Sequence, residues 1–266
     1  MPRLYRLIFP LWLIAFGAMH AADEPTDEMK KLSKSLTSAK LSARLEALDS
    51  LRKMGPTAAP IASEVVRLGV MSRDTKTRDA ALDAFEKIHP ELHKSIVDIV
   101  VDASATVRRT AIEHLGEVGE KARCTMPLLR AMFERESQQP DGDWFHLLAA
   151  LVQVDPNDPW VTKLVLGIVS NPTPRSSNSL LVYRNGTIAR AQAIGLLPDI
   201  NVNDQERIRA LIVGLNNQDN RILAINALAK FGTNASDAIA VLNRFKLDKD
   251  AEVRDAVSAA LAKIKP

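Results

Sequence analysis

One short pattern recurs along this chain and limits what it can fold into. An Arg is followed three residues later by Ala, then at once by Leu or Ile, and seven residues after the Arg by Leu or Phe. Arg44 opens RLEALDSL, Arg78 opens RDAALDAF, Arg108 opens RRTAIEHL, Arg190 opens RAQAIGLL and Arg221 opens RILAINAL. Arg254 opens a looser copy, RDAVSAAL, which keeps Leu261 but places Val257 and Ser258 where Ala and Leu or Ile stand elsewhere. Trp144 opens a further copy, WFHLLAAL, that lacks the Arg. Offsets of three, four and seven lie on one face of an α-helix. The copies begin 34, 30, 36, 46, 31 and 33 residues apart. Periods in that range belong to stacked units rather than to a single closed core.

The stretch after each copy has its own regularities. Gly55, Gly119 and Gly232 each fall eleven residues after their Arg, where a helix can end on a residue of positive φ. A second apolar segment comes next: IASEVVRLGV, LHKSIVDIVV, MPLLRAMF, WVTKLVLGIV, RIRALIVGL and AIAVLNRF. Several carry Pro near their start, at Pro60, Pro90, Pro127 and Pro159, where its missing N–H costs nothing. Each unit therefore reads as helix, turn, helix. The β-branched stretch VDIVVDASATV keeps helical spacing, and Asn185-Gly186 lacks the alternating flanks of a hairpin. An all-α fold is expected.

The phrase DASATVRRTAIEHLGEVG, with Asp102, Val107, Arg108, Ala111, Ile112, Leu115, Gly116 and Gly119, resembles HEAT repeats of the short bacterial kind related to those of phycobilisome lyases. Asp248, Val253, Arg254 and Leu261 carry it again near the end of the chain. The resemblance covers roughly 41–266 and is weakest from 135 to 200. It implies a right-handed α-solenoid of about six to seven helical hairpins. It does not imply an activity, because one fold hosts many functions.

The first residues, MPRLYRLIFPLWLIAFGAMHAADEP, combine Arg3 and Arg6, an apolar run from Leu7 to Met19, and Ala18, Ala21 and Ala22. That is the layout of a secretory signal peptide over 1–21, and the run is short for a membrane span. An exported chain, periplasmic or secreted, is the expectation, with an uncleaved membrane anchor as the alternative. The net charge of +3 includes both arginines; without them 33 basic residues face 32 acidic ones. Such a balance gives no general pull toward nucleic acid. Cys124 is the single cysteine, so no internal disulfide framework exists. Packing is its expected role.

Residues 22–40 are polar but place Met29, Leu32 and Leu36 at helical spacing, which suits a helix capping the array of 41–266. The repeated arginines, Arg44, Arg78, Arg108, Arg190, Arg221 and Arg254, read as a structural ladder. Each can reach an Asp or carbonyls of an adjacent unit, and Asp74, Asp102 and Asp248 stand close upstream of such positions. The resemblance implies that second helices line a concave surface. Candidate partner-binding residues there are Arg67, Lys94, Asp98, Arg130, Lys163 and Arg209. The insertion at about 170–187 adds Tyr183 and Arg184, a pairing common in recognition patches.

Chemistry has little to build on. His89 and His93 are four apart but separated by Pro90 and lack an HExxH arrangement. Glu113-His114 occurs once, and His146 has no partner evident from spacing. The expected function is a non-enzymatic scaffold that binds a protein or peptide and uses no cofactor. A HEAT-like enzyme or metal-binding protein is the alternative. The oligomeric state is not readable from sequence.

Overall fold

A computed structural model describes residues 24–100, 104–136, 143–170 and 186–265. Every regular element among them is helical, and none is a strand. The leader over 1–21, the center of the insertion and Asp102 lie outside the described residues.

The repeated phrase forms the helices α2 (Leu41–Met54), α4 (Thr75–Ile88), α6 (Ala105–Val118), α8 (Trp144–Val154), α10 (Gly186–Leu196), α12 (Arg221–Lys230) and α14 (Ala251–Ile264). Between them run α3 (Ala62–Met71), α5 (Pro90–Val100), α7 (Met126–Glu136), α9 (Pro159–Ser170), α11 (Asp204–Gly214) and α13 (Ile239–Arg244), with α1 (Asp27–Leu36) in front. The apolar places of the phrase become the core. Ala47, Leu48 and Leu51, then Ala111, Ile112 and Leu115, then Ala224, Ile225 and Leu228 are all buried. In the copy without Arg, Leu147, Leu148 and Leu151 are fully buried. The looser last copy buries Val257 and Leu261 and turns Ser258 outward. The core is one continuous apolar cluster from Met29 to Ile264, an all-α solenoid in which each unit covers its neighbor.

Helix starts follow local chemistry. Thr26, Asp74, Ser104, Asn203 and Asp250 each accept a backbone N–H from the first turn of α1, α4, α6, α11 and α14. The ends of α2 and α6 also have a clear cause. Gly55 and Gly119 adopt φ of 57° and 66° with ψ of −137°, a region closed to residues with a Cβ. The chain then runs through 3-10 turns, Gly55–Ile61 and Gly119–Thr125, before α3 and α7 begin. Gly232, at φ 54°, opens a third such turn. Pro60 therefore sits inside a 3-10 turn rather than in the first turn of α3. Pro90 and Pro159 do stand at the first positions of α5 and α9.

The tightest packing does not follow the phrase-plus-second-segment unit. Each intervening helix packs more closely on the repeat helix that comes after it than on the one before: α3 on α4, α5 on α6, α7 on α8, α9 on α10, α11 on α12 and α13 on α14, while α9 and α11 also pack closely on each other. By the same rule α1 packs on α2, burying Met29 and Leu36. The first helix thus occupies a regular place in the stack. Repeat helices also pack on one another where a glycine turn lies between them, as α2 on α4, α6 on α8 and α12 on α14. In those three places the glycine turn faces the C-terminal end of the later helix. Ideal Cβ atoms on Gly55, Gly119 and Gly232 would meet the carbonyl oxygens of Lys87, Gln153 and Lys263 at 3.5, 3.7 and 3.9 Å.

Candidate functional site

The arginine that opens each phrase has a well-defined place. Arg44 donates from Nη1 to the carbonyl oxygens of Ser38 (2.8 Å) and Ala39 (3.2 Å), six and five residues back. Arg254 repeats this on Asp248 (2.7 Å) and Lys249 (3.1 Å), and Arg221 donates from Nε to the carbonyl of Leu215 at 2.9 Å. Each guanidinium thereby closes the loop that leads into its own helix. The remaining donors reach forward to the next unit. Arg44 approaches Asp74 at 3.8 Å and donates to the Thr77 hydroxyl. Arg221 pairs with Asp248 at 2.8 Å and lies over the Phe245 ring. Arg108 and Arg109 converge on Asp143, at 3.8 and 2.9 Å.

Asp74 is held below the usual carboxyl range chiefly by the hydroxyl and N–H of Thr77. Arg190 is buried, and its burial pulls it below the usual guanidinium value while the charge of Asp219 opposes that pull. Arg78 has only a loose contact with Asp79, 3.9 Å, among the described residues. Sequence spacing points to Asp74 and Asp248 as carboxylates near an Arg. The arrangement adds a rule that spacing does not contain: each Asp serves the Arg of the preceding unit. Asp143 and Asp219 fill the same role without standing in a matching register. Arg109, next to the phrase's own Arg, makes the closer of the two contacts with Asp143.

The candidate binding residues divide by environment. Arg67, Lys163 and Arg209 are exposed on α3, α9 and α11. Lys94 is paired with Asp98 at 2.6 Å along α5. Arg130 is drawn into the fold: it pairs with Asp158 and lies 5.2 Å from the Trp160 ring centroid, which meets Phe133 edge-on. Asp158 also accepts the N–H groups of Trp160 and Val161, capping α9. Arg130 therefore ties α7 to α9. Tyr183 and Arg184 lie outside the described residues.

The histidines do not converge. His89 bonds Glu91 at 3.1 Å and packs near Phe85. His114 pairs through Nδ1 with the Ser95 hydroxyl at 2.9 Å. His146 meets Glu113 across the α6–α8 contact at 2.9 Å. Burial, followed by the charge of Arg109, keeps His146 below its ordinary 6.5 despite Glu113 and Asp143. Among the described residues no three His, Cys, Asp or Glu side chains come together as a metal site. Cys124 lies in the 3-10 turn ahead of α7, where burial, aided by Glu91, pushes its thiol up to about 12. No helix among the described residues is long and apolar enough to cross a membrane.

No family model matches this sequence, and no curated protein matches it either. Three crystal structures of engineered proteins align with 90% of the chain. One is 19% identical over 97% of its own length with a TM-score of 0.31, and another is 17% identical over 68% with the same score. The third is 17% identical over 99%, with a TM-score of 0.30. Scores this low add nothing to what the helices themselves display.

Proposed function

We propose that the chain is an exported, non-enzymatic scaffold of HEAT-like repeats that holds a protein or peptide on its superhelical surface. The observation that carries this reading is the separation of two sets of charges. One set is engaged within the stack: Arg44, Arg108 and Arg221 join units through Asp74, Asp143 and Asp248, and Arg254 closes the loop into its own helix. The other set, with Arg67, Lys163 and Arg209, stands exposed on intervening helices that leave it for solvent or a partner. An elongated stack of this kind offers area and shape, and recognition through shape needs no reacting group.

The test is crosslinking of the tagged mature chain in its native exported fraction, followed by mass spectrometry. A stoichiometric protein crosslinked to the solenoid supports the scaffold. Repeated recovery of the chain alone sinks it. Stoichiometric metal in the purified chain, lost on His89→Ala, would turn the reading toward a metal-dependent protein.

A further inference from the structure

The large apolar side chains left in solvent are not scattered over the solenoid. Among the described residues they are Met71, Val107, Ile188, Val213, Leu223 and Leu247. Met71 ends α3, Val107 and Ile188 begin α6 and α10, and Val213 and Leu223 flank the loop from α11 to α12. Leu247, 92% exposed, stands in the link from α13 to α14. All six belong to the edge where an intervening helix leads into the next repeat helix. The opposite edge, with the glycine turns, carries none of them. Single exposed apolar residues are ordinary, but their collection on one edge is the mark of a contact surface.

The ladder gives the same edge its charge. Its carboxylates point inward: Asp74 to Arg44 and Thr77, Asp143 to Arg108 and Arg109, Asp248 to Arg221. Arg73, Lys76, Lys246 and Lys249 remain exposed there, without an ion-pair partner among the described residues; the exposed acids are Glu252, Asp250, which caps α14, and Asp219, whose charge acts on Arg190. Near the C-terminal end, Arg221 draws the pieces together. It bonds the Leu215 carbonyl, Asp248 and the Phe245 ring, so the segments bearing Val213, Leu223 and Leu247 meet around one side chain.

We infer that this edge, centered on Leu247 with Lys246 and Lys249, docks an acidic peptide segment that carries apolar side chains. The inference rests on the scaffold reading and names its partner class. A protein segment fits better than a lipid surface, because five of the six apolar side chains are between 39% and 61% exposed and only Leu247 projects fully. Insertion among lipids calls for a broad apolar face.

The experiment is fluorescence anisotropy on the full mature chain with a labeled peptide of Glu interspersed with Leu. A Lys-for-Glu peptide, a Ser-for-Leu peptide and vesicles of anionic phospholipid serve as comparison probes. The Glu/Leu peptide is expected to bind. Leu247→Asp, and separately Lys246→Glu with Lys249→Glu, should weaken it about tenfold, with unchanged melting because these side chains are exposed. The opposite-edge pair Lys121→Glu with Lys230→Glu, both exposed, should leave it within about twofold. The second-helix pair Lys163→Glu with Arg209→Glu tests whether the peptide sits on the intervening helices instead. Absence of binding, equal binding of the Lys/Leu peptide, or indifference to the edge variants overturns the assignment. So does vesicle binding that Leu247→Asp abolishes while the peptide stays unbound. Loss through the second-helix pair alone would overturn the edge and leave the scaffold standing.

Discussion

Arg221 and Asp248 meet at 2.8 Å with side chains only 14% and 10% exposed, joining two successive units of the stack. Removing one partner leaves the other charge buried and uncompensated, which costs about 3 kcal/mol at such sites. Arg221→Ala also frees the Leu215 carbonyl and uncovers Phe245. It should lower the urea midpoint more than Arg78→Ala, whose guanidinium has only a loose neighbor. Equal midpoints would remove the ladder from the account of stability.

Asp143 takes two arginines, so its loss should exceed the loss of either one. Asp143→Asn is expected to cost roughly 2 to 4 kcal/mol. Arg108→Ala should cost less, because Arg109 stays on the carboxylate. A urea titration of both variants decides the order, and an Arg108→Ala that is the more damaging would contradict it.

Gly119 turns the chain at φ 66° and ψ −137°. A Cβ there has space in front of the Gln153 carbonyl, at 3.7 Å, so the cost of Gly119→Ala is conformational. About 1 to 3 kcal/mol is expected. Gly195→Ala, where an added Cβ meets nothing within 4 Å, should be neutral or slightly stabilizing. Thermal melts of the two side by side are the check.

His146 is held neutral by its surroundings, with its folded value below the ordinary 6.5. Between those two values the unfolded chain binds more protons, so stability rises with pH across that window. The contribution is present in full above 6.5 and is lost as pH falls through the folded value. His146→Gln should flatten this part of the stability profile. A profile with the same slope in the variant would assign the dependence to other groups.

Cys124, pushed up to about 12 mainly by burial, has almost no thiolate at mildly alkaline pH. In the native chain it should react with a thiol reagent far more slowly than a free thiol, and at the ordinary rate in urea. Fast labeling of the folded protein would show that the turn before α7 opens.

Much of this architecture was determined within single turns of chain. The offsets of Ala47, Leu48 and Leu51 from Arg44 place them on one helical face whatever surrounds the helix. Gly55 and Gly119 stop their helices because only glycine takes that φ cheaply. Asp74 caps α4 through an N–H three residues away. The tertiary structure decided what depends on contacts some 30 residues apart. It packed each intervening helix more closely on the following repeat helix than on the preceding one, which the unit of phrase plus second segment does not reveal. It assigned Asp248 to Arg221 rather than to Arg254, whose side chain takes backbone carbonyls instead. It engaged Arg130 with Asp158 and Trp160 while leaving Arg67, Lys163 and Arg209 outside. Local periodicity fixes which face a residue occupies; only the packing of one helix on another fixes what that face meets.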